Sequence, residues 1–265
     1  MNRVDSAFQA TRNGGPLLIA YATAGFPDLE TSLRISAALL EHCDLLELGI
    51  PFSDPVLDGP VIQESSRRAL EAGFRVGDIF DLARELRRGT DKPLLAMTYY
   101  NPVHRVGEGT FARMAATAGF DGLLVPDLPL EESGSLRTEA ASQGIAAALF
   151  ASMTTPDERL SAIAEATRGF LYCFAVKGTT GPRASLAGDL APFMARVRTR
   201  CRVPLALGLG ISNPGQCREA GKLADAVVVG SALVKASMDA LGGGGDPADA
   251  AGELAASLRS SLRDR

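Results

Sequence analysis

Tryptophan is absent from the 265 residues, aromatic side chains make up only 6%, and the chain has 2 histidines and 4 cysteines. With only His42 and His104 far apart in sequence, a histidine-based triad has no support and a zinc site has no ligand pattern. Cys43, Cys173, Cys201 and Cys217 show no CxxC spacing, so they are expected to be free thiols in a reducing compartment. Apolar runs such as PLLIAYATAG are far shorter than a bilayer span, and the polar start MNRVDSAFQATRNGG lacks the apolar centre of a signal peptide. A cytoplasmic protein is expected. Basic and acidic residues are interspersed and the net charge is -4, which leaves no electrostatic footprint for nucleic acid or an anionic membrane surface.

What the chain does have is 46% hydrophobic content, distributed evenly, which suits one large α/β domain over residues 1–265. Short apolar runs mark strands at Pro16–Ala22, Leu45–Gly49, Pro93–Thr98, Gly122–Val125, Ala146–Phe150, Gly169–Phe174, Pro204–Gly208 and Ala226–Val229. Stretches with helical spacing, such as LETSLRISAALLEH and LAPFMARVRTR, lie between them. Regular strand and helix alternation predicts parallel pairing through right-handed crossovers, and eight such units predict a closed (β/α)8 TIM barrel. The interval between the second and third strands is about twice the others and predicts two helices, Val61–Ala72 and Val76–Arg88. The glycine run Gly242–Gly245 reads as a linker into a last helix, Ala248–Leu262.

The stretch ELGIPFSDPVLDGP, from Glu47 to Pro60, sets one acid at the end of an apolar strand and two more in the loop beyond it. Period-two alternation places Glu47 with Leu45 and Gly49 on one side, and Leu46, Leu48 and Ile50 on the other. If helices cover the leucine side, Glu47 faces the barrel interior, loses solvation, and gains proton affinity toward neutral pH. A buried structural acid paired with a base fits the same pattern. Barrels of this kind hold phosphate in the loops after strands seven and eight. Those loops here are GLGIS (Gly208–Ser212) and VGSALVK (Val229–Lys235), with glycines that expose backbone amides and a helix opening at Ser231. A phosphate substrate is implied. The loop after strand six, Lys177–Ser185, is either a cover over a substrate, with Thr180 and Gly181 as its contacts, or an exposed connection.

In their order and spacing, ELGIPFSDPVLDGPVIQ, MTYYNPV, VPDLPLEES, GTTGPRASL, GLGIS and ADAVVVGSALVK resemble the tryptophan synthase alpha subunit family. The resemblance implies a carbon-carbon lyase that cleaves indole-3-glycerol phosphate to indole and D-glyceraldehyde 3-phosphate by a retro-aldol reaction, in tryptophan biosynthesis. By the same resemblance Glu47 is the acid-base residue, Asp58 holds the indole N–H, and Tyr172 supports Glu47, although core packing would also explain Tyr172. Tyr21, Ile62, Met97, Leu124, Thr180, Leu209 and Val228 are implied to line the indole slot. Gly181, Gly210, Ile211, Gly230 and Ser231 are implied to hold phosphate. Pro51, Asp54, Asn101 and Pro129 are implied to meet a beta subunit in an alpha-beta-beta-alpha tetramer, and pyridoxal phosphate is expected only in that partner. No cofactor and no metal are expected in this chain.

Two departures from the family pattern stand out. Ala175 and Val176 replace a serine-arginine pair common in bacterial members, and Leu209 replaces a phenylalanine. The changed loop leaves room for a stand-alone lyase that releases free indole, and a non-catalytic barrel that regulates a beta subunit is the remaining alternative. Intact Glu47, Asp58 and both glycine loops argue against the last.

Overall fold

The computed structural model describes residues 2–10, 15–174, 184–208 and 210–263. Eight strands, β1 (Leu17–Thr23), β2 (Leu45–Gly49), β3 (Leu94–Met97), β4 (Gly122–Leu124), β5 (Ala146–Ser152), β6 (Leu171–Phe174), β7 (Leu205–Gly208) and β8 (Ala226–Val229), pair in chain order. All pairs are parallel, and β8 closes on β1. Every residue of β1 and of β2 is buried. Strands covered on both faces need apolar side chains on both, which is why they read as continuous runs.

Alternate strand residues divide between two cores. Leu17, Ile19, Leu45, Leu95, Leu124, Ala146, Ala148, Ala206, Ala226 and Val228 fill the barrel with Phe170. Their neighbours Leu18, Ala20, Leu46, Leu48, Leu94, Ala96 and Leu123 meet the surrounding helices, and Ile50 joins this set. The expected alternation around Glu47 is therefore the observed one, and burial of both faces supplies the main folding drive.

The helices are α1 (Arg3–Ala10), α2 (Leu29–His42), α3 (Pro60–Glu71), α4 (Asp78–Arg87), α5 (Tyr100–Val106), α6 (Glu108–Ala118), α7 (Gly134–Ser142), α8 (Asp157–Ala166), α9 (Ala184–Arg198), α10 (Pro214–Gly221), α11 (Ser231–Gly243) and α12 (Pro247–Arg263). Local chemistry sets several starts. Asp28 caps α2 by accepting from the Thr31 amide, Asn213 caps α10 by accepting from the Gln216 amide, and Pro60 and Pro214 occupy first-turn positions that need no N–H.

Three features depart from expectation. Helix α1 lies across the amino-terminal mouth of the barrel, where Val4 and Phe8 close the floor and the Phe8 ring sits 5.5 Å from that of Phe170. The interval between β3 and β4 also holds two helices, α5 and α6, separated only at Gly107. Gly242 and Gly243 belong to α11, and only at Gly244, with φ 76°, does the chain leave the helix. A linker is thus replaced by a left-handed helix end, which glycine adopts without a Cβ clash.

The floor is stitched by a device that recurs four times. Asp44 accepts the Leu18 amide at 2.8 Å, Asp121 the Leu94 amide at 3.0 Å, Thr167 the Leu149 amide at 2.9 Å and Asp225 the Leu205 amide at 2.8 Å. Each acceptor lies just before an even-numbered strand and holds the preceding odd one. The three aspartates also meet arginines: Arg259 on Asp44, Arg87 and Arg3 on Asp121, and Arg198 on Asp225. Side-chain acceptors thereby satisfy strand amides toward the floor of the barrel.

Candidate active site

Glu47 stands on β2 opposite Tyr21 of β1 and Leu95 of β3, facing the barrel interior. It is 1% exposed, and its Oε1 atom has no hydrogen-bond partner. Burial with no counter-charge pushes its pKa up to about 8. Among the described residues, no basic side chain forms an ion pair with it.

Two tyrosines lean over glycines on either side of this carboxyl group. A Cβ on Gly49 would fall 2.0 Å from the Tyr21 hydroxyl, and one on Gly208 would fall 2.9 Å from that of Tyr172. The bare strand ends of β2 and β7 are therefore the seats of these rings. Burial first, and the charge of Glu47 second, raise the Tyr172 pKa well above its ordinary value. The Tyr172 ring also stacks on Phe150 at 4.9 Å and approaches Phe170 at 6.4 Å. Its packing against these rings is direct, and the charge of Glu47 acts on its hydroxyl.

Asp58 is half-buried in the loop between β2 and α3, and burial raises its pKa to about 6, offset in part by a hydrogen bond from Tyr99. The Tyr99 hydroxyl accepts the Leu57 amide at 3.0 Å, and its ring lies 5.3 Å from that of Phe52, so the end of β3 holds the acid loop in place. Asp58 shares with Tyr21, Gly49, Ile50, Phe52, Ser66, Met97, Thr98, Tyr99 and Pro126 a narrow cleft of about 20 Å³. Near neutral pH the two acids thus differ in charge, Glu47 being mostly protonated and Asp58 mostly ionised.

The residues expected to line an aromatic slot come together in two layers. Tyr21 and Ile62 pack with Met97 and with Val234 of α11, while Met97 also belongs to the barrel filling with Leu124, Val228 and Tyr172. Thr180, Gly181 and Leu209 lie outside the described residues, as do Ala175 and Val176. Of the anion-binding candidates, Gly210 takes φ 67°, Ile211 is buried, and Gly230 and Ser231 open α11 with no side-chain cap. First-turn amides without a cap are free to face an anion.

On the same face, Asp54, Asn101 and Pro129 are exposed, whereas Pro51 is buried within the chain. Pro51 is thus placed to shape the loop and not to offer a contact surface of its own. A wider recess of about 340 Å³ opens beside the acid cleft, lined by Pro126, Asp127, Leu128, Pro129, Leu130, Phe150, Ser152, Thr155, Arg159 and Phe174 among others, and by neither acid. No cluster of His, Cys, Asp and Glu among the described residues could hold a metal ion, and no helix among them is long and apolar enough to cross a membrane.

Sequence reasoning left out Tyr99, Phe52 and Phe150. Tyr99 sits inside the MTYYNPV segment, so its position at a strand end was a usable signal. Phe150 gave none, since an aromatic residue in an apolar strand reads as core.

The chain matches the family described as tryptophan synthase alpha chain over residues 8–257. It is 46% identical over 219 residues to the tryptophan synthase alpha chain of Thermococcus kodakarensis, covering 82% of this chain and 87% of that one. With the alpha chain of Streptomyces coelicolor it shares 40% identity over 265 residues, 98% and 96% of the two chains. Among solved structures, the tryptophan synthase subunit alpha of Legionella pneumophila superposes with a TM-score of 0.91 at 32% identity, covering 100% of both chains. A chain of Mycobacterium tuberculosis tryptophan synthase gives 0.90 at 33% identity over 99% of this chain and 98% of that one.

Proposed function

The chain belongs to the tryptophan synthase alpha chain family, and from that membership we propose that Glu47 and Asp58 carry its reaction on one unit spanning residues 1–265. The chain is a carbon-carbon lyase of tryptophan biosynthesis that cleaves indole-3-glycerol phosphate to indole and D-glyceraldehyde 3-phosphate. The observation that carries the residue assignment is a fully buried Glu47 carboxyl inside the barrel with no counter-charge, its pKa raised to about 8, and a half-buried Asp58 in the loop beyond it, ionising near 6.

Cleavage of the bond requires a proton on indole C3, removal of a proton from the adjacent glycerol hydroxyl, and relief of positive charge on the indole nitrogen. Protonated Glu47 supplies the first, and the carboxylate it becomes accepts the second, so it ends each turnover as it began. Ionised Asp58 accepts the indole N–H and disperses the charge. Tyr172 orients Glu47. The ring lies among Tyr21, Ile62, Met97, Leu124 and Val228, with Thr180 and Leu209 completing the slot. The phosphate is held by amides at Gly210, Ile211, Gly230 and Ser231, and at Gly181 from the loop after β6.

The family works in an alpha-beta complex, and we assign the exposed face around Asp54, Asn101 and Pro129 to a beta subunit in an alpha-beta-beta-alpha tetramer. Val56 is 80% exposed and Leu57 56% exposed on that face, an apolar pair that a partner would cover. Pyridoxal phosphate belongs to the beta chain. Free cysteines fit a cytoplasmic setting.

The test is release of glyceraldehyde 3-phosphate from indole-3-glycerol phosphate by the purified chain, with and without a beta subunit. Turnover is expected to rise on adding the partner and to vanish in Glu47→Gln and Asp58→Asn. Full activity in either variant would overturn the assignment, and high activity indifferent to the partner would favour a stand-alone lyase.

A further inference from the structure

One buried polar network in the slot has no part in the reaction as derived. The Thr23 hydroxyl donates to that of Tyr21 at 3.4 Å and lies 2.7 Å from that of Ser65, which in turn bonds the Ile62 carbonyl at 2.9 Å. Each hydroxyl carries one proton, so the three bonds cannot be oriented independently. When Thr23 donates to Tyr21, Ser65 donates to Thr23, and the Tyr21 proton is left for the site. When Ser65 donates to Ile62, Thr23 donates to Ser65, and Tyr21 donates back to Thr23. The chain is a relay with two settings, and only one of them frees the phenolic proton.

The place where that proton is wanted is next door. Tyr21 is the direct register partner of Glu47, and its hydroxyl occupies the Cβ position of Gly49, two residues along the same strand face. Two residues of strand span about 7 Å, most of which a glutamate side chain covers. After Glu47 gives its proton to indole C3 it is a carboxylate with a buried oxygen that the empty site leaves unpartnered. An ionised group in such surroundings needs a donor.

We propose that Tyr21 is a positioning residue for Glu47, its hydroxyl turned by Thr23 and Ser65 to donate to the carboxylate between loss and return of the proton. The proposal rests on the acid-base assignment of Glu47. Other polar groups facing Tyr21 are Asp58 from the loop after β2 and Tyr99 from the end of β3, and Tyr172 of β6 faces Glu47 from across the barrel. From α11 come Val234 and Met238, together with Ser237, whose hydroxyl is committed to the Pro247 carbonyl at 3.0 Å. Tyr21 stays protonated throughout, since burial first and Asp58 second raise its pKa.

The experiment is the pH profile of indole-3-glycerol phosphate cleavage by wild type, Tyr21→Phe, Thr23→Val and Glu47→Gln. Tyr21→Phe keeps the ring over Gly49, so it is expected to fold, with kcat about tenfold lower, KM within about twofold, and the alkaline limb moved about half a unit or more to higher pH, because the ionised glutamate has lost a donor. Thr23→Val should shift both in the same direction by less. Wild-type kcat and an unmoved alkaline limb in Tyr21→Phe would reduce Tyr21 to packing and overturn the inference. Turnover retained in Glu47→Gln would remove the acid-base role beneath it, a separate failure visible in the same series.

Discussion

A carboxyl group that is 1% exposed, with one oxygen left without a partner and no counter-charge, is poorly suited to stability, and Glu47 is such a group. Its unfolded form ionises near 4.5 while the folded form holds its proton to about 8. Between those values the unfolded chain has released a proton that the folded chain keeps, so stability falls as pH rises through the window. Glu47→Gln removes this cost. The variant is expected to be more stable than wild type by on the order of 3 kcal/mol at pH 7, to match it near pH 4, and to be inactive. Urea unfolding at several pH values checks this, and equal wild-type and variant stability at all of them would contradict it. Gly49→Ala probes the neighbouring constraint. A methyl group 2.0 Å from the Tyr21 hydroxyl must displace that ring from the slot, so activity should drop at least tenfold while the barrel still folds, as judged by circular dichroism and turnover together. Alternation in the sequence was enough to place Glu47 inside, because a strand offers only two faces. The Tyr21 relay was not legible, since Thr23 and Ser65 are 42 residues apart and nothing local signals their contact.

The elements divide the barrel into a floor that holds and a mouth that reacts. On the floor, Asp121 is 6% exposed and binds the Leu94 amide together with Arg87 and Arg3. Asp121→Ala would leave two guanidinium groups and an amide short of their acceptor, at a cost of about 3 kcal/mol or more. Denaturant unfolding should show that loss, while kcat of the folded fraction stays near wild type. A matching fall in kcat would mean that the floor also shapes the mouth. Strand positions were readable because buried parallel strands must be apolar on both faces. Helix α1 was not readable, because RVDSAFQA is half polar and only Val4 and Phe8, one turn apart, are buried. Its place comes from the open barrel end it fills. The aspartates before β2, β4 and β8 look in sequence like ordinary turn residues, and only the closed sheet reveals what they bind.

For the whole molecule, the polarity of the barrel sets what the chain can do: Asp58, the glycine loops and the exposed Val56 and Leu57 lie beyond the carboxyl ends of strands, and Glu47 lies inside the barrel two residues short of the end of β2. The resemblance carried by the loop motifs was legible because the acids, prolines and glycines are concentrated there, whereas Phe150, which borders the wider recess, was hidden in a strand. The central claim is that one carboxyl works protonated and the other ionised. It is tested most directly by kcat/KM for indole-3-glycerol phosphate from about pH 5 to about pH 10, which reports groups of the free enzyme. A bell with an acid limb near 6 from Asp58 and an alkaline limb near 8 from Glu47 is the predicted result. A profile that stays flat through both values would contradict it.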